Sequence, residues 1–277
     1  MSMNYLITGG SRGIGRGLSR LLLQRGHRVF ILDNNDSELN HINAQIPQWL
    51  SKLSSLSADT EPRYEVFKAD MAKKEDIEAA ADSAYKFFNG KLDVLVNNAA
   101  NTGGAHGPRI DTDEFLSVWE NSVSVNLTGS ALMSRACLPM LKKQPPSRPH
   151  GGNIIMISST RAYQSEPNSE AYASTKAGLL GLNQALACSL AEDGIKVNAI
   201  LPGWINVAHE SKEGDENGMK WEDGLSEDDQ KWHFSGRVGK VDDILRAVEY
   251  FSDSDSFITG EELKADGGVT RRMTYPE

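Results

Sequence analysis

The stretch MNYLITGGSRGIGRGLSRLLLQRGHRVFILDNN, residues 3–35, decides the fold. Tyr5, Leu6 and Ile7 form a short apolar run, as expected of a strand covered on both faces. A glycine-rich turn follows. Ile14, Leu18, Leu21 and Leu22 then recur at helical spacing until Gly26 stops the helix. VFIL is a second apolar strand, closed by Asp33. Strand, glycine turn, helix and strand in that order make the opening unit of a doubly wound, dinucleotide-binding sheet. Gly9, Gly13 and Gly15 let the backbone around Ser11, Arg12 and Ile14 approach a pyrophosphate, with N–H groups at the helix start facing the anion. Asp33 stands eighteen residues after Gly15, where a carboxylate can bind the diol of an adenosine ribose.

A second stretch, GNIIMISSTRAYQSEPNSEAYASTK at 152–176, carries the candidate chemistry. Ile154, Ile155, Met156 and Ile157 read as a buried strand, with Ser158 and Ser159 at its carboxyl end, where open α/β sheets place ligands. Tyr172 and Lys176 lie one helical turn apart in AYASTKAGLLGLNQALA, so both side chains share a face. An ammonium beside a phenol is expected to lower the tyrosine pKa and fit it for general acid–base work. The spacing alone says nothing, because Tyr64 and Lys68 repeat it in YEVFK. That segment reads as a strand, in which the two residues would be ~13 Å apart at about 3.3 Å per residue.

Outward from these stretches the chain keeps one rhythm. A helical pattern runs from Asp36 to about Leu53, interrupted by Pro47, and 51–60 is a Ser-rich loop. YEVFKAD is a strand ending in Asp70, followed by Met71 and the helix KKEDIEAAADSAYKFF. LDVLVNNAA is a fourth strand that ends at Asn97, Asn98, Ala99 and Ala100. A long helix is expected over about 112–143, with Phe115, Trp119 and Val123 on one face and Pro145 and Pro146 beyond its end. IKVNAIL is a sixth strand leading to Pro202 and Gly203. VGKVDDILRAVEYF is the last long helix and FITGEELKADGG the closing strand. Alternating strands and helices predict a single three-layer α/β/α domain over 1–277, with a doubly wound parallel sheet of about seven strands.

Residues 205–235 break the rhythm. Between His209 and Asp229 nine acids face two lysines. The segment reads either as a solvated acidic loop or as a lid over the substrate.

With 277 residues, 39% hydrophobic and 24% charged, the composition is that of an ordinary globular chain. A net charge of −9 and no basic stripe argue against a nucleic-acid partner. Cys137 and Cys188 have no metal-ligand spacing and read as buried thiols in a reducing compartment. No run approaches the ~18 apolar residues of a membrane span. The strand at the start leaves no room for a leader, so a cytoplasmic protein is expected.

These residues together resemble the short-chain dehydrogenase/reductase family, over essentially the whole length. The resemblance rests on TGGSRGIG (8–15), Asp70, NNAA (97–100), Asn126, Ser159, Tyr172, Lys176, PG (202–203) and FITG…DGG (257–268). It implies a catalytic group of four. Tyr172 would be the acid or base, and Ser159 would bond the substrate oxygen. Lys176 would hold the nicotinamide ribose, and Asn126, which comes from the resemblance alone, would anchor a water. The cofactor contacts implied are Gly9, Ser11, Arg12, Gly13, Ile14, Gly15, Asp33, Asp70, Met71, Asn98, Ala99, Tyr172, Lys176, Pro202, Gly203 and Ile205. Ser159, Arg161, Trp204 and His209 are candidates for the substrate pocket, and no metal is implied. Arg161 could bind an anionic or polyol substrate, or pair with Glu166.

Two departures stand out. Ala100 replaces a glycine, and Val207 replaces a threonine that bonds the carboxamide, which leaves the backbone or Asn206 to do so. The expected activity is hydride transfer between a nicotinamide and a secondary alcohol or ketone. A silent dinucleotide-binding regulator, or an epimerase or dehydratase using the same tyrosine, remain open. Asp33, with no basic residue after it, outweighs Arg12 and predicts NAD(H) over NADP(H). A homotetramer or dimer is expected, through the helices at 112–143 and 171–193.

Overall fold

The computed structural model describes residues 2–51 and 62–273. Seven strands, β1 (Asn4–Thr8), β2 (Arg28–Asp33), β3 (Tyr64–Lys68), β4 (Val94–Asn97), β5 (Asn153–Ile157), β6 (Lys196–Pro202) and β7 (Glu262–Ala265), form one sheet in the order β3-β2-β1-β4-β5-β6-β7. Every pairing is parallel. Side chains alternate between the two faces of a strand, so each continuous apolar run feeds two cores. Leu6, Phe30, Leu95, Ile154 and Met156 go to one face, where α3 (Lys74–Phe87), α5 (Gly129–Leu141) and α6 (Glu170–Ser189) lie. Tyr5, Ile7, Val29, Ile31, Val96 and Ile155 go to the other, covered by α1 (Gly13–Gln24), α2 (Asp36–Ser51) and α9 (Val241–Ser252).

Strand order reverses between β1 and β4, which opens a crevice at the carboxyl edge of the sheet. Thr8 and Asn98 stitch its floor. The Asn98 amide donates to the carbonyls of Thr8 (2.9 Å) and Gly9 (3.0 Å), while Thr8 Oγ1 accepts the N–H groups of Asn98 and Ala99.

Several expectations need correction. The helix α2 runs through Pro47 to Ser51, because Pro47 sits on its exposed side while Ile42, Ile46 and Trp49 bury the other. Leu53 and nearly all of the Ser-rich loop fall outside the described residues. The long helix expected over 112–143 is three pieces: α4 (Phe115–Ser122), a π-helical segment Val123–Thr128, and α5. Cys137 is buried, its thiol pushed up to about 12, but Cys188 is exposed. The insertion forms two short helices, α7 (Lys212–Glu216) and α8 (Glu227–Trp232), N-capped by Ser211 and Ser226. Among the described residues no helix is long and apolar enough to cross a membrane, and no group of His, Cys, Asp or Glu could hold a metal ion.

Candidate active site

The glycine turn after β1 leaves no room for side chains. A Cβ on Gly9 would lie 2.7 Å from Ala99 Cα, and one on Gly15 would lie 2.0 Å from the Gly9 carbonyl oxygen. The turn therefore lies flat on the end of β4 and starts α1 beside the crevice, with the Gly13 N–H donating to the Glu210 carbonyl at 2.8 Å. Ser11 Oγ is fully buried there without a partner, a polar atom waiting for a ligand. Asp33 closes β2 beside it and accepts the N–H groups of Ser11 (3.1 Å) and Asn34 (2.8 Å). Arg12 is exposed and forms no ion pair among the described residues. Asp70 caps the turn after β3, where its carboxylate accepts the Ala72 N–H at 2.9 Å. The neighbouring Met71 carbonyl lies so close to α5 that a Cβ on Gly129 would be 2.5 Å from it.

Across the crevice, β5 ends at Ile157 and delivers Ser158 and Ser159. Ser158 Oγ donates to the Lys176 carbonyl at 2.7 Å, tying the strand to α6. Ser159 Oγ accepts the Arg161 N–H at 3.1 Å and lies close enough to the Tyr172 phenol to pull its pKa down. Lys176 is almost fully buried and donates from Nζ to the Ile157 carbonyl at 2.7 Å, with the Tyr172 ring centroid 5.4 Å away. Its burial pushes the ammonium from the ordinary 10.5 down to about 8. The phenol moves opposite to expectation. Burial pushes Tyr172 above its ordinary value, and only Ser159 and the charge of Arg161 pull it back. Lys176, turned toward Ile157 and itself desolvated, does not lower it in this arrangement.

Asn126 lies in the π-helical segment, which adds a residue to the helical turn and places this side chain inward. It is buried, accepts the Asn101 N–H at 2.7 Å, and donates to the Asn101 carbonyl and to Thr175 Oγ1. The loop after β4 is thereby tied to the helix that carries Tyr172. Ala100 does not adopt a left-handed φ, so its backbone conformation does not call for glycine.

The substrate candidates separate. Arg161 spends its guanidinium on the Ala105 carbonyl (2.6 Å), Ser169 Oγ (3.0 Å) and Glu166 (2.7 Å), so it holds the loop together as the local pairing with Glu166 anticipated. His209 Nε2 lies 3.8 Å from the Glu210 carboxylate. Trp204 is part-exposed and lines a cleft of about 280 Å³ with Ser235, Arg237 and Gly267. Pro202 and Gly203 turn tightly against Asp266, and Ile205 bridges to Gly239. The Asn206 amide donates to the Trp221 carbonyl at 2.6 Å, and its Oδ1 accepts the Ala208 N–H at 3.4 Å. Val207 lies over the glycine turn, 3.7 Å from where a Cβ on Gly13 would be.

Residues 9–270 match the family model described as Enoyl-(Acyl carrier protein) reductase. An uncharacterized oxidoreductase of Thermotoga maritima is 33% identical over 98% of this chain and 97% of its own length. The chain belongs to the short-chain dehydrogenase/reductase family.

Other members of this family are similar over the same span. A 3-oxoacyl-[acyl-carrier-protein] reductase of Chlamydia trachomatis is 31% identical over 95% of this chain and 96% of its own length. Among solved structures, an apo SCOR enzyme from Clostridium thermocellum superposes with a TM-score of 0.78 at 32% identity, covering 99% of this chain and 96% of that one. A 3-ketoacyl-(acyl-carrier-protein) reductase from Brucella melitensis complexed with NADH gives 0.76 at 26% identity, covering 97% and 98%. As a short-chain dehydrogenase/reductase the chain is an oxidoreductase, and the group its fold implies is a nicotinamide dinucleotide. The flat glycine cradle and the unpartnered Ser11 hydroxyl fit such a group.

Proposed function

We propose that this protein reduces a ketone to a secondary alcohol, or runs the reverse, with Tyr172 as the general acid or base. The observation that carries the reading is the juxtaposition of the Ser159 hydroxyl and the Tyr172 phenol above the buried Lys176, across the crevice from the glycine cradle. A nicotinamide held there supplies or accepts the hydride. Gly9, Ser11, Arg12, Gly13, Ile14 and Gly15 would hold its pyrophosphate, Asp33 its adenosine ribose, and Asp70 and Met71 its adenine. Asn98 and Ala99, with Pro202, Gly203 and Ile205, would line the rest, and Lys176 would bond the second ribose.

The chain's own residues do three things. Ser159 donates to the substrate oxygen and fixes its distance from Tyr172, which supplies orientation. Tyr172 Oη gives its proton to that oxygen in reduction and takes it back in oxidation. Ser159 and the charge of Arg161 favour a phenolate left by proton transfer in this arrangement, and Lys176, once it bonds the ribose, would bring its ammonium beneath the phenol. The phenol's ordinary value of 10.0, raised further by burial, keeps it protonated at neutral pH, so reduction meets the acid form it needs. The 3-oxoacyl reductases among the relatives make β-ketoesters the first substrates to try. Tyr172→Phe should lower kcat for β-ketoester reduction by about 10²–10⁴, the usual worth of a positioned acid. Binding of NADH, followed by fluorescence, should change less than threefold. Retention of a tenth of the wild-type kcat sinks the assignment.

The preferred dinucleotide in this reading is NAD(H). The Asp33 carboxylate lies at the end of β2 beside the glycine turn, where a 2′-phosphate of about −1.5 to −2 charge would meet it. No basic residue follows Asp33, and Arg12 is solvated. Asp33→Ala should narrow or reverse the ratio of kcat/KM for NADH over NADPH. A wild-type ratio favouring NADPH would show that Arg12 dominates.

A further inference from the structure

The segment 207–216, which sequence reading left between a loose acidic loop and a substrate lid, lies as a strap across the glycine turn and the first turns of α1 and α2. Its backbone joins the turn directly, since the Gly13 N–H donates to the Glu210 carbonyl at 2.8 Å. Arg16, the residue after the last glycine of the turn, holds the strap from beneath. Its Nη1 donates to the carbonyls of His209 (3.3 Å) and Ser211 (3.0 Å), and its Nη2 to Asp215 at 2.5 Å. Glu210 pairs with Arg20 and lies 3.9 Å from Arg16. Asp215 also meets His41 at 2.7 Å, and Glu38 accepts the Lys212 N–H at 2.9 Å.

The side chains of Arg16 and Glu210 are both only 3% exposed. Burying two charges gives back much of its Coulomb energy as lost hydration, so such a pair is a poor general stabiliser. What it does supply is position, because either charge left alone in that environment is costly. A surface loop with nothing to do over the turn would have no need of it. Val207 and the Glu210 carbonyl make the strap one wall of the cradle in which Ser11 Oγ is unpartnered.

We propose that Arg16 and Glu210 are positioning residues for the dinucleotide: they latch the strap onto the glycine turn, and exchange of the cofactor requires the latch to open. The inference rests on the dinucleotide-binding reading above. The latch links α1 to a segment about 190 residues later in the chain.

The test uses Glu210→Gln, which keeps shape and removes charge, with Arg16→Met as the larger lesion and Arg16→Lys as the conservative variant. NADH release is followed by stopped-flow fluorescence and NADH affinity by titration. Amide hydrogen exchange of the peptide containing Gly13 is measured without cofactor. Release should quicken about tenfold in Glu210→Gln and Arg16→Met, a factor typical of one charged contact. Exchange at Gly13 should rise in both, and Arg16→Lys should recover part of each effect. Should Arg16→Met fail to fold, Glu210→Gln alone decides. Release and affinity within twofold of wild type in the folded variants would overturn the latch. Faster exchange with unchanged NADH release would make the pair structural only and also overturn it. Wild-type protein that binds neither NADH nor NADPH would instead refute the dinucleotide reading, and the inference with it.

Discussion

Tyr64 and Lys68 stand at the same spacing as Tyr172 and Lys176, but on the outer strand β3, where Lys68 is mostly exposed and meets Asp36 at 2.5 Å. Lys176 lies inside α6, almost fully buried, and donates to the end of a neighbouring strand. In the strand, four residues carry the lysine beyond reach of the tyrosine; in the helix, they bring it back under the ring. Secondary structure thus sets whether the two groups meet, and burial sets what the meeting does. An exposed ammonium in water has little hold on a neighbour, whereas a desolvated one has its own pKa shifted.

The largest difference between the pairs should appear on losing the lysines. Lys176→Met should lower kcat/KM for β-ketoester reduction by about 10²–10³, in the range for a group that supports acid–base catalysis. It should also weaken NADH binding, while Lys68→Met leaves both within twofold. Equal effects of the two variants would break the comparison.

A smaller effect sharpens it from the side of the phenol. Arg161 is the cation that pulls the Tyr172 pKa down in this structure, through a guanidinium tied to Ala105, Ser169 and Glu166. The titratable groups around this pair are Lys176, Glu166, Glu170 and His106, the last 3.6 Å from Glu166. Reduction uses the protonated phenol, so its rate falls as pH rises through the tyrosine pKa. Arg161→Met should therefore move that alkaline limb upward, because it removes a charge that lowers the phenol pKa. Arg161→Lys should keep most of its position. A raised KM with an unmoved limb would return Arg161 to the role of substrate ligand.

The framework was legible because its signals are local. The β1–turn–α1–β2 unit and the serine-to-lysine stretch each announce themselves within about thirty residues, through periods of two and 3.6. What escaped the sequence depends on contacts between distant segments. Arg16 looks like any polar residue on an amphipathic helix until Glu210 and Asp215 come to lie on it. Asn126 has no sequence signal for its inward turn, because a π-helical turn depends on packing against its neighbours as much as on residue type. Pro47 was misread because a local rule against proline lost to the burial of Ile42, Ile46 and Trp49. The phenol pKa was misread for a similar reason, since the spacing shows a lysine nearby but not that it is buried and turned to Ile157.

Lys176 offers the most direct test that burial in α6, rather than spacing, makes this pair distinctive. Its fall from 10.5 to about 8 means that the unfolded chain binds a proton that the folded protein has lost between those values. Stability should therefore rise with pH across that window, and the penalty present below about 8 amounts to about 3 kcal/mol. Lys176→Met lacks this dependence. Chemical unfolding of wild type and variant at a series of pH values from 7 to 10.5 isolates it, since the other titrating groups cancel in the difference. The stability of Lys176→Met relative to wild type should be greatest near pH 7 and decline as pH rises, while Lys68→Met shows no such trend. A difference for Lys176→Met that stays constant from pH 7 to 10.5 would contradict the account.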